Sequence, residues 1–257
     1  MPKKKSKRRP EGPLCPVCVY CGRKPGIEDD HVIAEAFFPE PRPRRDEYIL
    51  VSACSECNRG FWNRSNTRMN MDEEYVRSIF CLEYHARIHP AARRLFQNEV
   101  RRSILKNPSI GRLMIHRPRR GAISVESGLI IPGMLFGEVN WLRIRRVIHK
   151  IVLGLFYHEA GWRLPDSHIT VVEVLSMVGV AQSAKLETHV VQHLMNETRC
   201  LGPRRLAGGV FSYAFRQNET ILDPASSIWV LSFYDGIYFV VATRPRQGEI
   251  ASLSPPN

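Results

Sequence analysis

Two short-range cysteine pairs constrain this chain more than any other feature it has. Cys18 and Cys21 in CVYCG and Cys54 and Cys57 in CSECN lie 33 residues apart, counted from Cys21 to Cys54. Four thiolates at such spacings suit tetrahedral zinc, and a closed shell of four sulfurs leaves no open position for catalysis. The expected Zn²⁺ is therefore structural, a staple for a module of about 55 residues that is too small for a generous core. Cys15 and Cys18 form an overlapping CxxC; Gly22, suited to the tight turn of a knuckle, favours the pair Cys18 and Cys21. A disulfide framework explains seven cysteines, an odd number with five of them in the first quarter of the chain, less well than metal binding does.

Charge narrows the partners. Lys and Arg number 37 against 25 Asp and Glu, a formal net charge of +12. Residues 1–14, MPKKKSKRRPEGPL, have basic charge and no apolar run, so they are expected to be a flexible arm and not a secretory leader. The most apolar windows, 128–136 and 147–157, are too short to span a membrane, which takes about 20 apolar residues. A soluble, cytoplasmic protein with a polyanionic partner is the expectation.

Four parts follow from the patterning: the arm, a metal module over 15–70, a helical connector over 71–110, and an α+β domain over 111–257 with a mainly antiparallel sheet. A helix is predicted from Asp72, with Tyr75, Ile79, Leu82 and Ala86 on one face, and a second from Pro90. A long helix capped by Asn140 and ending near Gly161 carries the stripe Trp141, Ile144, Ile148, Ile151 and Leu155. Strands are predicted at 48–51, 113–116, 122–131, 169–175, 210–216, 228–233 and 237–243. The last two are joined by the turn residues 234–236. A further helix is expected over 183–195.

Between the cysteine pairs stands the run Asp29, Asp30, His31, Val32, Ile33, and Asn58 follows the last cysteine directly. Asp30 and Asn58 are oxygen ligands of the kind Mg²⁺ takes, and a neutral His31 can accept a proton from water. CVYCG, DDHVIAEAFFP and CSECN, in that order and spacing, resemble the zinc-stapled HNH endonucleases, and the resemblance covers residues 15–65. It implies a ββα-metal fold and hydrolysis of nucleic-acid phosphodiesters, DNA being the expected substrate, to 5′ phosphate and 3′ hydroxyl ends. It further implies His31 as general base, with Asp30 and Asn58 holding Mg²⁺ or another divalent ion. The middle asparagine of the pattern falls at Ile49, beside Tyr48. The alternative is a zinc module that binds nucleic acid or a protein without catalysis.

Arg42, Arg44 and Arg45, interleaved with proline, together with Arg59 and Arg64, are the candidate phosphate contacts. The domain over 111–257 carries no motif that names its role; docking of a protein partner is one expectation for it. His85 and His89 have the spacing of a shared metal site but lack the glutamate of HExxH, so surface histidines are expected. Cys81 and Cys200 are expected to be buried as small apolar groups.

Overall fold

The computed structural model describes residues 17–61, 66–82, 89–100, 119–124, 130–135, 140–176, 204–206, 209–217 and 223–246. The arm, Cys15, Arg64, His85, Cys200, the run 113–116 and the helix expected over 183–195 lie outside them.

The N-terminal module runs strand, strand, helix. Strand β1 (Glu28–His31) pairs antiparallel with β2 (Leu50–Ala53), Glu28 opposite Ala53 and His31 opposite Leu50, and the short helix α1 (Ser55–Arg59) follows at once. EDDH has little intrinsic β preference. It is extended because the apolar β2 offers it a ladder and because the cysteine knuckles clamp the chain on either side of the hairpin. Gly22 takes φ +62°, the left-handed turn expected of the first knuckle. Two 3₁₀ turns, Glu35–Phe37 and Arg45–Glu47, occupy the loop between the strands.

Helix α2 (Met69–Leu82) begins three residues before Asp72, the predicted start. The acid at position 72 is not a helix-end charge in water. It is fully buried and receives two guanidinium groups, Arg143 Nε at 2.6 Å and Arg146 Nη2 at 2.7 Å. Helix α3 (Pro90–Leu95) follows, with His89 Nδ1 accepting from Ala91 N, and widens to a π turn at Phe96–Val100. Strands β3 (Arg119–Ser124) and β4 (Ile130–Leu135) form a separate hairpin where one strand over 122–131 was expected. The long helix α4 (Trp141–Ala160) has the predicted limits, with Asn140 Oδ1 accepting from Arg143 N at 3.4 Å.

The C-terminal half is a five-stranded antiparallel sheet in the order β5 (His168–Ser176), β9 (Ile237–Pro245), β8 (Ser227–Phe233), β7 (Phe211–Gln217), β6 (Arg204–Leu206). The short edge strand β6 occupies a stretch that reads as turn. One apolar core joins the N-terminal module to this sheet. Phe37 from the module packs on Phe80 of α2 and on Phe233 of β8, ring centroids 5.9 and 5.4 Å apart. Tyr234, at the β8–β9 turn, donates its hydroxyl to the Phe37 carbonyl at 2.7 Å. The architecture is mixed α and β with antiparallel sheets. Among the described residues no helix is long and apolar enough to cross a membrane.

Candidate functional site

The four predicted cysteines meet. Their Sγ atoms all lie within 4.8 Å of one another, and Cys21 and Cys54 are 4.0 Å apart. Sulfurs bound to one zinc at about 2.3 Å stand roughly 3.8 Å apart, so the tetrad matches a tetrathiolate site closely. Hydrogen bonding from Cys57 pulls the Cys18 thiol down to about 4 against the opposing effect of burial, while Cys18 and burial push the Cys57 thiol up. The donor set fits structural zinc.

The acid and the histidine separate. Successive residues of a strand point to opposite faces, and β1 obeys this: Asp30 turns inward, 5 % exposed, while the His31 side chain is 28 % exposed. Asp30 accepts from the Tyr20 hydroxyl at 2.6 Å and faces Lys150 Nζ of α4 at 2.9 Å. The same ammonium donates to Glu73 of α2 at 2.7 Å. Burial by itself would lower the Lys150 pKa, but the Glu73 and Asp30 carboxylates outweigh it and hold the ammonium charged above its ordinary range. With two carboxylates to one ammonium, an excess negative charge is buried there, and burial pushes Glu73 up.

His31 faces a different set of groups. Its Nε2 lies 3.3 Å from Glu35 Oε1, and Tyr48 packs edge-on against its ring, centroids 4.7 Å apart and planes at 77°. Tyr48, beside the position where the middle asparagine is missing, thus restricts the imidazole by ring contact. Burial lowers the His31 pKa more than Glu35 and Asp30 raise it, which keeps the ring neutral and able to accept a proton at pH 7.

Asn58 projects from α1 back to the start of β1 and donates Nδ2 to Glu28 Oε2 at 2.9 Å; Arg59 Nη2 holds the other oxygen at 2.7 Å. Asp30 and Asn58 therefore spend their polar atoms on different partners. The divalent ion that the resemblance implies does not fit here, because the Asp30 carboxylate already has an ammonium and a hydroxyl against it. Of the candidate phosphate contacts, Arg42 is paired with Glu35 and Glu40 at 3.0 Å each, Arg45 with Asp29 at 2.8 Å, and Arg59 with Glu28. Arg44 has no ion-pair partner among the described residues.

Lys150 was the residue that sequence reading missed. A signal existed: from Val147 to Phe156 helix α4 is apolar nearly all round, so a lysine within that stretch is buried and requires anionic partners. Comparison of the chain with protein-family models, with curated proteins and with solved structures finds no match.

Proposed function

We propose that this chain is a nucleic-acid phosphodiesterase of the HNH kind, in which the zinc-stapled module presents His31 as the general base. The observation that carries the reading is the state of His31: a neutral imidazole at the end of β1, partly open to solvent, with Glu35 on Nε2 and Tyr48 against its face. The module's order, hairpin then helix with Asn58 on that helix, supports it. In the reaction His31 takes the proton of a water as its oxygen bonds to phosphorus, and the bond to the 3′ oxygen breaks, the released oxygen taking a proton from a second water to give the 3′ hydroxyl. Arg42, Arg44 and Arg45 lie on the same loop as Glu35; Arg44, which makes no ion pair among the described residues, holds a phosphate oxygen there. DNA is the substrate the resemblance implies. No step here is assigned to a divalent ion.

A second reading, binding without cleavage, is favoured by one observation: the Lys150 ammonium, 2.9 Å from Asp30, stands on the carboxylate that a nuclease would give to its cation. One experiment separates the two. Purified protein is incubated with supercoiled plasmid, with and without Mg²⁺ or Mn²⁺, beside His31→Ala of equal zinc content. The hydrolase reading expects nicking that falls about 100-fold or more in the variant, the usual loss for a general base. A gel shift by both proteins with no nicking by either establishes the binding module instead, and equal nicking by both removes His31 from the chemistry.

A further inference from the structure

Beyond the Tyr48 ring lies a second feature that the reaction above does not use. A cavity of about 850 Å³ opens between the proline-interleaved loop 39–43, the start of α3 and the edge of the C-terminal sheet. Its lining is part apolar, with Pro41, Pro90 and Leu206, and Arg42, Arg44 and Arg94 stand in its wall. Glu47 also lines it and Arg42 is paired with Glu35 and Glu40, so the cationic character rests on Arg44 and Arg94. Arg44 and Arg94 are exposed and make no ion pair among the described residues. Ring packing ties the cavity to His31: Phe38 packs on Tyr48 with centroids 5.2 Å apart, and Tyr48 on His31. The Tyr48 hydroxyl is buried without a hydrogen-bond partner among the described residues.

We infer that this groove binds a single polynucleotide strand, its phosphates on Arg44 and Arg94 and a base or sugar against the apolar lining of Pro41, Pro90 and Leu206. A positively charged groove that tracks the backbone is how single strands are held without sequence preference. The volume is at the upper end for small-ligand sites; it admits a stretch of one strand but not a double helix. The module and the C-terminal half both contribute walls, which gives the latter a role in substrate binding. The inference extends the nucleic-acid reading, but no cleavage enters its test, so either can fail while the other stands.

The test is fluorescence anisotropy with a short labelled oligothymidylate and no divalent ion, across a salt series. The double variant Arg44→Glu with Arg94→Glu is compared with the control Arg145→Glu with Arg216→Glu, which reverses the same charge at two exposed positions away from the groove. The groove variant is expected to bind about 10-fold more weakly or worse and to lose about 1.4 from the slope of log K against log salt, two contacts at about 0.7 each. The control is expected to lose much less and keep its slope. Circular dichroism melts check that all the proteins fold alike. Equal losses in the two variants overturn the inference, because net charge alone would explain them. Displacement of the probe by inorganic phosphate or a free mononucleotide at equal phosphate concentration overturns the strand as occupant, and so does a duplex of the same length binding as tightly as the single strand.

Discussion

Replacing Lys150 by methionine tests whether the buried ion cluster holds the module to the rest of the chain. Met retains the length of the stem and removes the charge. Asp30, 5 % exposed, would keep the Tyr20 hydroxyl at 2.6 Å, but Glu73 would lose the one side-chain partner described above. Breaking a buried pair from one side costs about 3–5 kcal/mol, because the remaining charge stays desolvated. The methionine adds apolar burial of no more than about 1 kcal/mol relative to the lysine stem, so a loss near 3 kcal/mol is expected at pH 7. With a urea m value of about 3 kcal/mol/M for a chain of this size, the midpoint should fall by about 1 M. The pH dependence has a definite sign. In the variant Glu73, whose pKa burial already raises, loses the ammonium that lowers it, and a group so raised favours folding below its unfolded pKa and loses that stability as pH rises through the native value. The deficit is therefore largest at neutral pH and shrinks on acidification toward the ordinary carboxylate range near 4. Adding Asp30→Asn and Glu73→Gln should recover most of the loss at neutral pH. Urea melts followed by tryptophan fluorescence at several pH values measure all of this. A midpoint shift below about 0.3 M, or a deficit that grows as the pH falls, would refute the account of Lys150 as the shared counter-ion.

Two further outcomes follow from the packing. Cys57→Ser removes one of four sulfurs; zinc content by elemental analysis should fall from one per chain toward zero, and the thermal transition should broaden and drop, since structural zinc contributes folding free energy directly. Unchanged zinc content would mean that Cys57 is not a ligand. Gly154→Ala would place a Cβ 2.7 and 2.9 Å from the Val32 methyl groups; overpacking of about 1–3 kcal/mol should exceed the gain of about 1 kcal/mol in helix propensity. In a Val32→Ala background the same change should be neutral or stabilising, and a loss in both backgrounds would place the strain elsewhere.

Much of this molecule was legible because local chemistry and tertiary fate coincide. Each cysteine pair, the Asn140 cap, the α4 stripe from Ile144 to Leu155 and the β8–β9 hairpin are set within a few residues, so spacing suffices; Trp141, expected on that stripe, lies exposed in the first turn. Asp72 shows where that ends. An acid in the first turn of a helix ordinarily faces water, and nothing near it in the chain says that Arg143 and Arg146, about 70 residues later, will bury it. The β6 edge likewise has only its partner strand to define it, since residues 204–206 carry no alternation long enough to read.

The DH pair is the deeper case, because there adjacency itself misleads. Two neighbours on a strand can serve one pocket only where the strand ends or bends between them; in continuous ladder they are assigned to opposite faces. Here Asp30 pairs with Val51 and His31 with Leu50 in unbroken register. The ladder thus sends the carboxylate toward α4 and the imidazole toward the arginine-bearing loop. What the inward face then meets depends on the helix packed against it, and α4 brings a lysine. An ammonium satisfies a buried carboxylate as a cation would, without the open coordination positions that a metal needs for catalysis. The cysteine tetrad and the strand position of His31 are consequently set within residues 18–58, whereas the fate of the carboxylate between them is decided by residue 150.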